Sequence, residues 1–396
     1  MIKTIYDVHF ESKKVLVRVD YNVPLDENGK VTDDTRIRES LPTVDKIIDD
    51  HGIPILISHL GRPKGERNPK YSLAPVAEYI REKFGYNVLF ADDCIGEIPK
   101  NTISKAEPGD IVLLENLRFY KEEEKNDPEF AKKLAELADV YVNDAFGSAH
   151  RAHASTEGVT KFFEIKVAGK LLLDEIEYLG KAVKNPVKPF VSIIGGAKIS
   201  GKIDVIRNLF AKCDTILIGG GMMFTFFKSM NLNIGKSICE DDKVELALQL
   251  INEAKEKNVR LILPEDVLVA DKFSNDAQTK QVPVTEIPDD WFGMDIGNKT
   301  IEFFSKIIKE AKTIFWNGPL GVFEMSNFAN GTLSIAKAMA EATDRGATTI
   351  VGGGDSAAAI TQMNFKNKIT HVSTGGGASL EYIEGKTLPG IAALEI

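Results

Sequence analysis

Cysteine is scarce in this chain. The three that occur, Cys94, Cys213 and Cys239, are far apart and odd in number. They supply neither a CxxC pair nor a small disulfide framework, so a reducing, cytoplasmic setting is expected. Long apolar runs are also missing. The N-terminal MIKTIYDVHFESKK mixes charge with apolar residues, and TILIGGGMMFTFF at 215–227 is shorter than a typical bilayer span, so neither a signal peptide nor a membrane partner is expected. A basic surplus is absent too: 49 Lys and Arg against 58 Asp and Glu give a net charge of −9, which argues against a nucleic-acid-binding surface. Two familiar phosphate fingerprints are lacking as well. Nothing matches GxxxxGK[ST], and no GxGxxG is followed by a suitably spaced acid.

What is present is the composition of a globular protein, with 43% hydrophobic and 27% charged residues over 396 positions. That length admits two large domains or three ordinary ones. Short β-rich runs alternate with longer segments of helical spacing. In the first half the runs are 15–19, 53–58, 87–90, 111–115 and 140–143, with helices predicted near 36–50, 72–84 and 128–138. In the second half they are 190–194, 215–218, 260–263, 313–316, 348–351 and 370–373. Alternation of this kind predicts α/β architecture: two domains, each a parallel sheet flanked by helices. Between them, Leu171, Leu172, Ile176, Leu179 and Val183 form an apolar stripe over 167–186, read as a connecting helix with a boundary near 170. An ordinary layer helix is the alternative. Residues 264–298, broken by Pro264, Pro283 and Pro288, read as a loop-rich excursion or irregular strand, and the acidic run at 121–129 reads as a solvated face.

Polar residues leave a parallel sheet at the carboxyl ends of its strands, and there the first half is cationic. RVDYNVPLD carries Asp20 and Asn22, TRIR carries Arg36, SHLGRP carries His59 and Arg62, ENLRF carries Arg118, and AFGSAHRAH carries Arg151. One such arginine is ordinarily a surface ion pair. Repeated at successive strand ends, they suit a small polyanion, because guanidinium forks match carboxylate and phosphate oxygens. Zinc on His59, His150 and His153 is a weaker reading without thiolates nearby.

The second half ends five strands in glycine, at 195–196, 219–221, 318, 352–354 and 375–377. Glycines let a phosphate approach backbone N–H groups, and following helices aim their positive ends at it. Gly219, Gly220, Gly352, Gly353 and Gly354 are therefore read on the nucleotide side. Lys198 and Lys202 could direct ammonium groups at phosphate oxygens, Asp355 could hold magnesium, and Asn317 and Glu324 could fix phosphate or ribose. An acid bound by one domain and a nucleoside phosphate bound by the other imply phosphoryl transfer across a cleft, with hinge closure to align them.

RVDYNVPLD, SHLGRP, ENLRF, AFGSAHRAHAST, GGAKISGK, WNGPLGVFE, GGGDSAAA and STGGGAS, in that order, resemble the phosphoglycerate kinase family over essentially the whole chain. The resemblance implies a usually monomeric glycolytic enzyme that reversibly moves phosphoryl between 1,3-bisphosphoglycerate and MgADP, giving 3-phosphoglycerate and MgATP. By matching position, Asp20, Asn22, Arg36, His59, Arg62, Arg118 and Arg151 would bind the glycerate. Lys198, Lys202, Asn317, Glu324 and 352–356 would bind ADP or ATP, with Asp355 toward magnesium. Arg36, Lys198, Lys202 and the amides of Gly375 and Gly376 would stabilise the transferred group. It further implies that 379–396 return to a phosphoglycerate-binding domain at 1–169, leaving 170–378 as the nucleotide domain. Small departures are Tyr21, Ile199 and Asn298, the last in the place of a proline, which leaves the DIGNKT loop less constrained. Another acyl-phosphate kinase, or a nucleotide-regulated anion-binding scaffold, are the competing functions.

Overall fold

The β-branched runs of the first half become one parallel sheet in the computed structural model, which describes residues 2–395 apart from the side chain of Val183. Its strands are β1 (Lys14–Arg18), β2 (Ile53–Ile57), β3 (Val88–Ala91), β4 (Ile111–Leu114), β5 (Val140–Asn143) and β6 (Lys166–Ala168). They lie in the order β3-β4-β2-β1-β5-β6, every pairing parallel. β4 and β5 are buried at every position, which is why they read as unbroken apolar runs rather than as alternation. Helices Thr35–Asp49, Ala74–Phe84 and Pro128–Ala135 meet the expected positions, the second stopped by Gly85 in the left-handed region at φ 77°. β1 has β2 on one side and β5 on the other, so the chain changes direction across it. That is where a parallel sheet opens a crevice at its carboxyl edge.

The second parallel sheet holds β7 (Phe190–Ile194), β8 (Thr215–Ile218) and β9 (Arg260–Ile262). After it come β10 (Asp266–Ala270), β11 (Thr279–Pro283) and β12 (Phe292–Ile296), and then β13 (Thr313–Asn317), β14 (Thr348–Gly352) and β15 (His371–Val372) complete the parallel sheet. Its order is β15-β14-β13-β7-β8-β9. β10–β12 correct the expectation of an irregular excursion, because they form a three-stranded antiparallel sheet in the order β11-β10-β12. Pro283 ends β11 and the other two prolines lie outside strands, so none interrupts the ladder. Gly293 within β12 leaves room for the Phe224 ring, which a Cβ there would meet at 1.9 Å.

Two compact units result, Met1–Glu177 with Thr387–Ile396, and Tyr178–Lys386. Helix Lys170–Lys184 runs from the first into the second. The C-terminal segment is tied into the first unit where Asn143 Nδ2 donates to Gly390 O at 3.0 Å and Gly390 N donates to Ala149 O at 2.9 Å. Among the described residues, no helix is long and apolar enough to cross a membrane.

Candidate active site

In the first unit, the loops that follow β1 and β2 meet beside the start of helix Thr35–Asp49. Arg36 Nη1 lies 3.1 Å from Asp20 Oδ2 and donates to Asn22 O at 3.1 Å. The Asn22 carboxamide turns the other way and accepts from Gly61 N at 2.9 Å. Gly61 O in turn accepts from Arg118 Nη1 at 3.0 Å, so Asp20, Asn22, Arg36 and Arg118 form one connected group. Arg118 is buried, its Nε has no hydrogen-bond partner, and burial pulls its basicity down despite Glu124 at 3.6 Å. Arg62 and Arg151 are exposed. Arg151 Nε faces His150 Nε2 at 3.3 Å, while Arg62 makes no ion pair or hydrogen bond among the described residues.

His59 is buried, and burial holds its pKa well below the usual imidazole value, with Arg18, Arg118, Arg36 and His153 adding repulsion. His153 is pushed down to about 4 by burial and the surrounding arginines. Both rings are therefore neutral at neutral pH. A neutral histidine in a nest of arginines is a hydrogen-bonding group that leaves the cationic charge to the guanidiniums, whose charge survives burial.

Arg18 was not singled out from the sequence, although it stands in the middle of that nest. It is fully buried at the end of β1, and its Nε donates to Ser155 Oγ at 2.8 Å. The available signal was a charge interrupting the apolar run KVLVRV. Glu123 corrects the reading of 121–129 as a solvated face: Lys121, Glu124 and Lys125 around it are exposed, but its own carboxylate is completely buried against Ser155.

In the second unit the loops after β7, β8, β13 and β14 surround a cavity of 430 Å³, within the range of small-molecule sites. Phe224, Ile238, Phe292 and Val322 give it an apolar end, while Glu324 and Asp355 bring carboxylates to it. Gly196 and Gly220 line it with backbone. Lys202 Nζ donates to Asn317 Oδ1, and Asn317 Nδ2 donates to Gly352 O at 2.6 Å. Burial lowers the Lys202 pKa, opposed by Asp355 and Glu384. Ser356 Oγ accepts from Gly318 N at 2.5 Å, and Gly353 sits at φ 92° against the Asn317 carboxamide. Lys198 is exposed on the same loop as Lys202.

The glycines divide by role. Gly219 N donates to Ile194 O and Gly220 N to Leu320 O, both at 3.0 Å, so these amides join neighbouring loops. Gly375 N donates to Ser373 Oγ at 3.1 Å, and Gly376, at φ 54°, precedes helix Gly377–Ile383. Gly354 opens helix Gly354–Gln362, with no atom within 4 Å of where its Cβ would be. Asp355 lies in the first turn of that helix. Among the described residues no three His, Cys, Asp or Glu side chains are grouped to hold a metal ion. One exposed carboxylate suits magnesium that keeps water and arrives on phosphate oxygens rather than an all-protein cage.

Asp295, near the end of β12 between the cavity-lining Met294 and the buried Ile296, has no charged partner among the described residues. It accepts from Gly331 N at 2.6 Å and Ile296 N at 2.8 Å, and burial pushes its pKa up to about 7. A raised carboxyl pKa means that the folded state holds the proton more tightly than the unfolded one. Its stabilising contribution is full below the ordinary carboxylate pKa and is lost as pH rises through about 7. Asp295→Asn carries a fixed cost for one lost acceptor but does not titrate. The stability difference between wild type and this variant should therefore shrink from about pH 5 to pH 8. Urea unfolding followed by tryptophan fluorescence reads it, since Trp291 and Trp316 both belong to this unit.

A two-unit α/β chain with arginines at a sheet edge in one unit and a glycine-walled cavity of 430 Å³ in the other has the arrangement expected of a kinase for a small anionic acid. The phosphoglycerate kinase family model matches residues 5–386. The phosphoglycerate kinase of Chloroherpeton thalassium is 58% identical over 392 residues, covering 99% of this chain and 98% of that protein. That of Chlorobium phaeobacteroides is 57% identical over 392 residues, covering 99% of each. Among solved structures, phosphoglycerate kinase from Coxiella burnetii superposes with a TM-score of 0.90 at 41% identity, covering 100% of this chain and 99% of that one. This chain belongs to the phosphoglycerate kinase family. It is an ATP-binding transferase of glycolysis that moves phosphoryl between 1,3-bisphosphoglycerate and ADP.

Proposed function

We propose that the first unit binds 3-phosphoglycerate or 1,3-bisphosphoglycerate through Asp20, Asn22, Arg36, His59, Arg62, Arg118 and Arg151. The second binds MgADP or MgATP through Lys198, Lys202, Gly219, Gly220, Asn317, Glu324 and residues 352–356. Domain closure then brings the reactants in line. A terminal oxygen of ADP forms a new P–O bond to the acyl phosphate, the P–O bond to the carboxylate breaks, and 3-phosphoglycerate leaves with that electron pair. The attacking oxygen is already ionised, so no general base is required.

What the side chains contribute is placement and charge. Arg36, Lys198, Lys202, the amide of Gly376 and that of Gly375, once it gives up Ser373 Oγ, stabilise the oxygens in transfer. Magnesium, carried in as the nucleotide complex, would be held by Asp355 and would neutralise phosphate charge. The enzyme acts as a monomer in the cytoplasm, with no nucleic-acid or membrane partner. The observation that carries the glycerate half is the linkage of Arg36, Asp20, Asn22 and Arg118 at the carboxyl edge of the sheet.

The direct test is ATP formation from 1,3-bisphosphoglycerate and MgADP. Arg62→Ala, which removes an exposed and unpaired guanidinium, should raise KM for 3-phosphoglycerate about tenfold and leave KM for ATP unchanged. An unchanged 3-phosphoglycerate KM would remove Arg62 from the site. Turnover only with a different acid would point to another acyl-phosphate kinase, and binding of both ligands without turnover would point to a scaffold.

A further inference from the structure

Three groups fully shielded from solvent, Glu123, Ser155 and Arg18, stand behind the arginine-lined edge. Ser155 donates twice to the Glu123 carboxylate, from its hydroxyl at 2.5 Å and its amide at 2.9 Å. With its proton committed there, the hydroxyl oxygen can only accept, and it accepts from Arg18 Nε at 2.8 Å. Arg18 also donates through Nη1 to Val19 O, and its Nη2 lies 3.2 Å from His59 Nδ1. A guanidinium has no acceptor, so Nδ1 must be the accepting nitrogen and the His59 proton must sit on Nε2. The direction at His59 is thus set by Arg18 itself, and what the carboxylate at the start of the chain sets, through Ser155, is where that guanidinium is held.

We infer that Glu123 is a positioning residue: through Ser155 and Arg18 it fixes His59 as an Nε2–H donor toward the glycerate, a role that rests on the assignment of this edge to that substrate. A carboxylate at this place also supplies the negative charge that a solvent-free guanidinium needs. Burial raises the Glu123 pKa, and Arg18 and the two Ser155 donors oppose that rise without cancelling it. Glu124, by contrast, is nearly half exposed and touches only the rim through Arg118. The buried member of the acidic run, not the run as a whole, carries the role.

Glu123→Gln keeps the volume but turns an amide donor toward Ser155. Ser155→Ala removes only the hydroxyl bridge and guards against a folding failure in the first variant. Each should raise KM for 3-phosphoglycerate about tenfold, with KM for ATP unchanged, and the double variant should lose no more than the worse single one. Nitrogen-15 NMR of the ligand-free full-length protein should show His59 moving from a pure Nε2–H tautomer to a mixture in both variants, a change that simple destabilisation does not produce. An unchanged tautomer in folded variants, or additive losses, overturns the inference. The tautomer needs no ligand, so it separates the outcomes: if it shifts while neither these variants nor Arg62→Ala alters the 3-phosphoglycerate KM, the glycerate assignment fails and the hydrogen-bond chain stands.

Discussion

Lys202→Ala should form ATP from 1,3-bisphosphoglycerate and MgADP about 10²–10³-fold more slowly than wild type, with a much smaller change in KM for ADP. The ammonium is held by Asn317, which is itself fixed by Gly352 O, so its position is set before the nucleotide arrives. It is half-buried, and the lowered pKa records the desolvation of a charge that only Asp355 and Glu384 oppose. An already desolvated cation interacts more strongly with charge that develops nearby than a hydrated one does. Lys198, exposed on the same loop, gives the contrast: Lys198→Ala should lose no more than about tenfold, because water screens its charge. Coupled assays on both variants check the ranking, and equal losses would mean that burial is not what distinguishes them. Loss of Lys202 leaves Asn317 Oδ1 without this donor, so a fall in stability of about 1–2 kcal/mol is expected. Such a fall is too small to account for the rate.

The parallel strands were legible because burial on both faces writes them as unbroken apolar runs, as in Ile111–Leu114 and Thr215–Ile218. The antiparallel sheet was not. β11, Thr-Lys-Gln-Val-Pro, is almost wholly exposed and offers no apolar period, and β6 is only three residues long. Charged residues just after strands were legible for a topological reason, since a parallel sheet delivers them to one edge. Arg18 and Glu123 escaped for opposite reasons: one is a charge inside an apolar strand, and the other shares its local composition with exposed neighbours. Only tertiary packing separates Glu123, fully buried, from Glu122 and Glu124 beside it. The glycine repeats were legible as a pattern, but much of their cause is the close approach of one loop to another. Gly220, at φ 66°, would place a Cβ 2.5 Å from Gly196 N.

Gly318→Ala is the variant in which that close approach should be most costly. Gly318 has φ 95°, and an added Cβ would lie 2.3 Å from both the carbonyl carbon and the oxygen of Gly195. Those are backbone atoms, and they cannot swing aside as a side chain would. Gly195 N is bonded to Asn317 O at 2.8 Å, Gly196 N to Pro319 O at 2.9 Å, and Trp316 Nε1 to Gly318 O at 2.7 Å. Alanine must either force these loops apart or adopt a disfavoured backbone, and about 3 kcal/mol or more of stability should be lost. Tryptophan-detected unfolding of the second unit measures it, and KM for ATP should rise with it, because Gly196, Pro319 and Leu320 wall the cavity. Gly354→Ala is the counterpart. Its Cβ would meet nothing within 4 Å and its φ is ordinary, so its unfolding free energy should match wild type to within about 0.5 kcal/mol. If the phosphates come as close to this helix start as proposed, the same methyl group should weaken MgATP binding. Loss of stability at Gly318 and loss of nucleotide affinity alone at Gly354 would divide the glycines into those that let loops meet each other and those that let a ligand in.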